Sequence, residues 1–120
     1  MKIKFHHDHK KKYFDIVMSY RAPNNNIVGQ VWVMDVGHKN SGLEVNNLSV
    51  VSKHKRKGYA TKLMNRVVQY YGHRDLYLRA YPFRGGNVSK HDLQTFYQSF
   101  GFRVVRYSWK FGTLMKRDAQ

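Results

Sequence analysis

The spacing of apolar residues changes in the middle of the chain, and this change constrains the fold more than any other feature. Up to residue 51, short segments rich in β-branched and aromatic residues are separated by turn-forming residues, which predicts four strands. Beyond them, over residues 57–71, the apolar residues fall three and four apart, which predicts an amphipathic helix ending at Gly72. The four predicted strands are residues 2–7, 13–20, 27–36 and 43–51.

The second half of the chain alternates between strand and helix patterns. A strand is predicted over residues 76–80, followed by a Gly-containing loop and a second helix that Ser89 caps and Gly101 ends. Two last strands, over residues 102–107 and 111–116, complete the order β-β-β-β-α-β-α-β-β. We therefore expect one α/β domain over residues 1–120, a mixed sheet of about seven strands with two main helices on its faces.

Composition excludes several classes of protein. The chain has no cysteine, so it holds no disulfide framework, no thiolate zinc site and no cysteine nucleophile. No apolar run approaches the length of a membrane span, and the N-terminal residues are basic and polar. We therefore expect a cytoplasmic protein with no membrane contact. A group of three histidines and an aspartate at residues 6–9 is interpreted as a strand end, and we predict no metal site.

The charge is strongly unbalanced. Lysine and arginine number 22 against 7 aspartates and glutamates, which gives a formal charge of +15. Such a surface attracts polyanions and collects cationic small molecules poorly. Solubility alone is one explanation of the charge; a phosphate-rich ligand or a nucleic acid is the other, and composition does not choose between them.

The segment over residues 52–60 joins a strand to a helix through a basic loop that contains Gly58. The first N–H groups of a helix have no partner within the helix, and the helix dipole adds positive charge there. Glycine would let the backbone approach an anion closely, and neighbouring cations would balance its charge. A pyrophosphate site is therefore one interpretation, and a solvated basic helix start is the other. The cations concerned are Lys53, Lys55, Arg56, Lys57 and Lys62.

Two motifs resemble those of the GNAT superfamily of acetyl-CoA-dependent N-acetyltransferases. The first is Lys55-x-x-Gly58-x-Ala60 directly after a strand, similar to the family signature (Gln/Arg)-x-x-Gly-x-(Gly/Ala). The second is Phe96-Tyr-Gln-Ser-Phe-Gly-Phe102, which resembles a helix ending F-Y-x-x-x-G-F. The resemblance covers roughly residues 42–116 and implies the GNAT fold.

The resemblance also implies where acetyl-CoA binds, namely in a wedge between the strands at residues 43–51 and 76–80. The pantetheine arm would pair with the backbone of Leu48, Ser49 and Val50 like an added strand. Lys55 departs from the usual Gln or Arg, although a cation there still favours phosphate. The pyrophosphate would lie on the N–H groups of Lys55, Arg56, Lys57, Gly58, Tyr59, Ala60 and Thr61.

Two residues are candidates for catalysis. The resemblance implies that Tyr97 lies near the sulfur of CoA and protonates the departing thiolate; the alternative is an aromatic side chain packed in the core. Glu44 is the only glutamate and precedes Gly58 by 14 residues, a spacing similar to that of the general base in histone-acetylating members. Its alternative role is an ion pair with a nearby cation. Lys90, where the family often has Asn, is a candidate for contact with a CoA phosphate.

The acceptor side of the predicted cleft is short. GNAT proteins commonly place two helices between their first two strands, whereas this chain has only about residues 7–12 there. We therefore expect an open groove and an acceptor amine on a macromolecule, protein or RNA-linked, with nucleic-acid contact through the basic surface. A homodimer could complete the groove. The alternatives are a catalytically weak CoA- or nucleic-acid-binding module on this fold, and an acetyltransferase for small amines.

Overall fold

The computed structural model describes residues 2–10, 15–35, 42–81, 89–107 and 112–120. The order of strands and helices predicted from the sequence is confirmed within them. The strands are β1 (Lys4–Lys10), β2 (Asp15–Arg21), β3 (Ile27–Met34), β4 (Leu43–Val50), β5 (Leu76–Ala80), β6 (Arg103–Arg106) and β7 (Thr113–Arg117), and the α-helices are α1 (Tyr59–Tyr71) and α2 (Lys90–Gln98).

The strands form one mixed sheet in the order β1-β2-β3-β4-β5-β7-β6. Every neighbouring pair is antiparallel except β4 and β5, which run parallel because α1 connects them as a crossover. The predicted hairpin between β2 and β3 is present. Its turn is closed by a hydrogen bond of 2.9 Å from the Ala22 N–H to the Asn26 carbonyl, with Asn25 in the left-handed region at φ 70°.

Both helices pack on the same face of the sheet. On that face Leu63 of α1 approaches β3 at Gly29, and Gln94 of α2 donates a hydrogen bond of 3.3 Å to the Thr113 hydroxyl. Together with the inward-facing strand residues they enclose one core. The opposite face carries no helix within the residues that the structure describes. No described helix is long and apolar enough to cross a membrane.

Several boundaries differ from the predicted ones. β1 continues through the polar residues to Lys10, because its backbone pairs with β2 along its whole length, from Lys4 opposite Arg21 to Lys10 opposite Asp15. A short 3₁₀-helix, Ser52–His54, was not predicted. α1 begins two residues later than predicted, with Gly58 as its N-cap. The predicted loop at 82–87 and the strand ends at 13–14, 36 and 111 lie outside the described residues.

Arg117 links the ends of the two helices. Its side chain is buried, and its guanidinium donates to the Gly72 carbonyl at 3.1 Å and to the Phe100 carbonyl at 2.9 Å. These carbonyls follow the last turns of α1 and α2, where helices leave acceptors unpaired and carry partial negative charge. Gly72 is needed here for space, since a Cβ would lie 2.5 Å from the Val68 carbonyl oxygen and 3.1 Å from Arg117 Nη1.

Replacing Arg117 with methionine should lower the free energy of unfolding by about 1–3 kcal/mol, because the Phe100 carbonyl loses its side-chain donor and the Gly72 carbonyl keeps only the Gln120 N–H, while the apolar stem remains. Urea denaturation measures the change. Arg103→Met is the matched control, since Arg103 makes only an exposed ion pair with Asp118 and should change stability by less than about 1 kcal/mol. Equal effects of the two substitutions would contradict the capping role.

Candidate active site

β4 and β5 are paired only at their first residues. Leu43 lies opposite Leu76 and Glu44 opposite Tyr77, after which the two strands separate. The joined end is fixed by a hydrogen bond of 2.9 Å from the Leu43 N–H to the Asp75 carbonyl. The result is a wedge that is closed where β4 and β5 begin and open toward their C-terminal ends, as the family resemblance implied.

A β-bulge in β4 accounts for this separation. Gln30 of β3 lies opposite Ser49, but Trp32 lies opposite Asn46, so β4 contains one residue more than its partner. Asn47 occupies the left-handed region at φ 53°, and its N–H donates to the Asn46 side-chain oxygen at 2.9 Å. A bulge bends the strand that contains it and increases its twist. β4 therefore turns away from β5, and its β5-facing edge has no strand partner beyond Glu44 among the described residues.

The wedge encloses a cavity of about 490 Å³, within the range of small-molecule sites. Its floor is apolar, from Leu78 of β5 and Leu93 and Tyr97 of α2, while the adjoining part of β4 offers backbone and amide groups. The lining residues are Gln30, Val45, Asn46, Asn47, Leu48, Ser49, Leu78, Arg79, Tyr81, Leu93 and Tyr97.

The predicted site residues divide into three groups. Leu48, Ser49 and Tyr97 line the cavity. Val50 is the last residue of β4, and residues 55–61 follow after four intervening residues and include the first turn of α1; none of them lines the cavity. Glu44 is half-buried at the closed end, opposite Met34 and Tyr77, and lies outside the lining. The side chain of Lys90 lies outside the described residues.

Several lining residues were not predicted. Leu93 precedes Tyr97 by one helical turn, so its spacing could have indicated it. Asn46 and Asn47 are two consecutive polar residues that interrupt the alternation of apolar and polar residues in β4, which is the sequence signal of the bulge. The positions of Gln30, Arg79 and Tyr81 depend on strand register and carry no local signal. They were missed for that reason.

Tyr97 is held in place by aromatic contacts. Its ring packs edge-on against Phe96 and Phe102, with centroid distances of 5.2 and 6.2 Å. Only 9% of the residue is exposed, and burial raises the pKa of the Tyr97 phenol to about 12. The side chain is therefore a neutral hydrogen-bond donor near neutral pH, facing a cavity lined mainly by apolar side chains on that side.

The loop before α1 leaves the helix N-terminus uncapped. Gly58, at φ 82°, is the N-cap residue, no side chain caps the helix, and the first turn has no acidic residue. The first intrahelical hydrogen bond runs from the Lys62 N–H to the Gly58 carbonyl, so the N–H groups of Tyr59, Ala60 and Thr61 have no acceptor within the helix. Among the residues that the structure describes, no atom lies within 4 Å of the position that a Gly58 Cβ would take. The geometry provides donors, positive charge and room for an anion.

His54 is buried in the same loop. It is 6% exposed, its ring meets Tyr59 edge-on at 6.1 Å, and its Nδ1 has no hydrogen-bond partner among the described residues. Burial lowers the pKa of the imidazole, and the charges of Lys57 and Lys53 lower it further. The neutral ring is therefore favoured in the folded protein.

Stability should fall as the pH drops below about 6.5, the usual histidine pKa. Because the folded pKa of His54 is lowered, the unfolded chain takes up a proton before the folded chain does. The contribution is fully present above the unfolded pKa and is lost as the pH falls through the folded one. His7, whose pKa is also lowered by burial, acts in the same direction.

Thermal unfolding between about pH 7.5 and pH 5 measures the slope of stability with pH. His54→Gln should flatten the slope, whereas His73→Gln, at an exposed position, should leave it unchanged. A slope that His54→Gln does not alter would contradict the assignment to His54.

The sequence model of the acetyltransferase (GNAT) domain matches residues 16–104. No curated protein matches the chain in sequence. Among solved structures, the fold is similar to that of an acyl-CoA N-acyltransferase from Pseudomonas aeruginosa, at a TM-score of 0.67 and 15% identity over 87% of this chain and 68% of that one. It is also similar to a GNAT acetyltransferase from Staphylococcus aureus Mu50, at a TM-score of 0.66 and 14% identity over 93% and 72%.

A third similar structure contains a ligand. It is a GNAT family acetyltransferase from Elizabethkingia anophelis with acetyl-CoA bound, at a TM-score of 0.66 and 16% identity over 97% of both chains. At such identities these structures support the fold. The wedge, the cavity and the uncapped helix start are properties of this chain itself.

Proposed function

The chain belongs to the GNAT acetyltransferase family, and from that premise we propose that it transfers the acetyl group of acetyl-CoA to an amine on a macromolecule. One observation carries the proposal. The edge of β4 that has no strand partner among the described residues and the buried phenol of Tyr97 lie together in the wedge, and β4 leads through a short loop to the uncapped start of α1.

We assign the binding of acetyl-CoA to β4 and the loop that follows it. The pantetheine arm would lie along Leu48, Ser49 and Val50, where the edge of β4 has no partner within the described residues. The pyrophosphate would accept hydrogen bonds from the N–H groups at the start of α1, where Gly58 leaves open space. Arg56 and Lys57, both exposed, would balance its charge.

Acetyl transfer needs few catalytic groups from the protein, because the thioester of acetyl-CoA is already activated toward attack by an amine. The neutral amine attacks the carbonyl carbon, the C–N bond forms, and the carbonyl oxygen becomes an oxyanion. When that intermediate collapses, the C–S bond breaks and the sulfur leaves with the electron pair. We propose that the Tyr97 hydroxyl donates its proton to this sulfur, and that the proton lost by the amine passes through water to Glu44.

The raised pKa of Tyr97 bears on its role. A phenol with a pKa of about 12 is a weaker acid than an ordinary thiol, at about 8.5, so proton transfer to a solvated thiolate is uphill. In the wedge, however, the thiolate would also be desolvated, which raises its own basicity. We therefore propose that Tyr97 hydrogen-bonds the sulfur as charge develops and transfers the proton late.

The face of the sheet opposite the helices supports a large acceptor. Where relatives of this family have two helices, β1 here is followed by β2 after only four residues. Glu44 lies on this face, since it alternates along β4 with Leu43 and Val45, which are buried in the core beneath the helices. A charge of +15 directs the protein to acidic or phosphate-bearing partners and away from polyamines. In a homodimer, which is the alternative form of this proposal, a second copy of the chain would cover this face and complete the acceptor groove.

A second candidate function is a CoA-binding module with weak or no turnover. The observation that favours it is the position of Glu44 outside the residues that line the cavity. In that case acetyl-CoA binds, but no acceptor accelerates the release of CoA.

Calorimetric titration of nucleic-acid-free protein with acetyl-CoA, at moderate salt, tests the proposal first. We expect saturable one-to-one binding that is much tighter than binding of ADP or pantetheine alone, because the site contacts both ends of the ligand. Binding that disappears as salt rises would contradict a built site and indicate general attraction by charge. CoA release with a lysine-rich protein, an aminoacyl-RNA and free amines as acceptors then separates the two candidate functions and the acceptor classes.

Glu44→Gln should reduce the rate of acetyl transfer by about 100-fold near neutral pH, within the range for loss of a general base, and the loss should shrink at high pH. Asp35→Asn, which removes one carboxylate at an exposed position just after β3, should change the rate little. A pH–rate profile of Glu44→Gln parallel to that of the unmodified protein would show that Glu44 is only a structural partner.

A further inference from the structure

The outer surface of α1 carries aromatic rings and cations, of which Tyr59 and Lys62 adjoin the proposed phosphate site and the others lie outside it. We call this surface the α1 strip. Its α1 residues follow one another at spacings of three and four, so they share one side of the helix over a length of about 16 Å. Two residues of the edge strand β1 continue it. The α1 strip consists of Tyr59, Lys62, Arg66, Tyr70, Phe5 and His7.

Cations and rings are in direct contact along the α1 strip. Lys62 Nζ lies 5.1 Å from the centre of the Tyr59 ring, and the Arg66 guanidinium lies 4.3 Å from the centre of the Phe5 ring. These are cation–π distances. The contacts hold the positive charges at fixed positions on the surface instead of leaving them on freely moving side chains.

The rings at the far end of the α1 strip remain accessible. Tyr70 is 39% exposed, although it stacks nearly parallel to Phe5, with a centroid distance of 6.3 Å and an interplanar angle of 9°. It also meets His7 at 4.6 Å, and His7 stacks in turn on His9 at 5.1 Å. Burial lowers the pKa of His7, so this end presents neutral rings near neutral pH.

Within the described residues no carboxylate is paired with the two cations of the α1 strip, although Asp8 lies next to His7 on β1. Between Glu44 and Asp75 the sequence has seven lysines and arginines and no acidic residue. Among the described residues neither Lys62 nor Arg66 forms an ion pair, whereas Lys116 and Arg103, at the other side of the sheet, are paired with aspartates. Internal packing explains the ring contacts, but it explains neither the exposure of Tyr70 nor the lack of counter-charges.

We propose that the α1 strip binds single-stranded nucleic acid. Cations spaced along a surface follow a phosphate backbone, and an accessible ring beside them, here Tyr70, stacks on an unpaired base, which every base permits. A duplex keeps its bases stacked inside and could use the cations alone. This inference concerns a binding surface and does not depend on acetyl transfer.

Fluorescence anisotropy with a labelled oligouridylate of about 12 nucleotides tests the proposal. Arg66→Gln should weaken binding and reduce the slope of log affinity against log salt by about 0.7, the value for one phosphate contact to a single strand. Its matched control, Arg106→Gln, removes the same charge from an exposed position on β6 and should leave the slope unchanged. Tyr70→Ala should weaken binding by at least about fivefold, while Tyr70→Phe, which keeps the ring, should not.

Three outcomes would overturn the proposal. Equal losses for Arg66→Gln and Arg106→Gln would mean that net charge alone attracts the oligonucleotide. Equal affinity for the matching duplex would remove the role of base stacking. Equal affinity for polyglutamate would assign the surface to an acidic protein. Titration of the same variants with acetyl-CoA distinguishes the proposed enzyme activity from nucleic-acid binding. Failure to bind acetyl-CoA would contradict the enzyme but would not affect the proposal for the α1 strip.

Discussion

Replacing Tyr97 with phenylalanine should slow the release of CoA by about 100-fold and leave the affinity for acetyl-CoA within about threefold. The ring keeps its contacts with Phe96 and Phe102, so the floor of the cavity is preserved. Only the hydroxyl is lost, and with it the donor to the departing sulfur. Loss of a general acid typically reduces a rate by 10²–10⁴-fold.

The absence of cysteine simplifies this measurement, because a thiol reagent detects released CoA with no background from the protein. Tyr81→Phe is the matched control, since Tyr81 also lines the cavity but is 45% exposed. It should retain the rate of the unmodified protein. Parallel losses of rate and affinity in Tyr97→Phe would mean that Tyr97 contributes packing or binding and no proton.

Replacing Gly58 with aspartate should weaken acetyl-CoA binding by about 100-fold or more, which corresponds to about 2.8 kcal/mol. A Cβ at this position meets no atom of the described part of the chain, so the variant should fold, at a cost of about 1–2 kcal/mol for a left-handed residue other than glycine. Its carboxylate would occupy the space proposed for the pyrophosphate and repel it.

Gly58→Asn separates the effect of the space that the side chain occupies from the effect of its negative charge. It has nearly the same shape as Asp and tolerates the left-handed region similarly, but it carries no charge. We expect Gly58→Asn to lose a smaller part of the affinity by calorimetry, and Gly58→Asp to lose the remainder through repulsion. An aspartate variant that still binds acetyl-CoA with micromolar affinity would disprove the assignment of the phosphate loop.

The sequence predicted the parts of the fold that depend on interactions between residues close together in the chain, such as helix periodicity and helix capping. The apolar spacing that predicted α1 reappears in its buried residues Leu63, Met64 and Val67. Ser89 caps α2 as predicted, its hydroxyl accepting from the Asp92 N–H at 3.1 Å. Each of these features is determined within a few residues of chain, and the sequence therefore carries it directly.

The features that shape the site depend on residues far apart in the chain. The bulge at Asn47 follows from the pairing of β4 with β3, and the placement of Gln30 and Arg79 in the cavity follows from register. Arg117 reaches Gly72 across 45 positions of sequence, and no pattern near Arg117 indicates it. The same limit applies to Glu44, whose spacing from Gly58 suggested a role but could not show that it lies outside the lining of the cavity.

The two residue pairs that join β4 to β5 also affect how resistant the protein is to proteolysis. The backbone of the sheet is nearly interrupted there, so strands β1–β4 and β5–β7 are joined across the sheet by one short seam. A ligand that fills the wedge and binds only the folded state would stabilise the chain by about 2.7 kcal/mol at 100 times its dissociation constant. Proteolysis that acts on the opened chain would slow accordingly. With acetyl-CoA as that ligand, the amount of this protein in a cell would rise and fall with the supply of its own substrate.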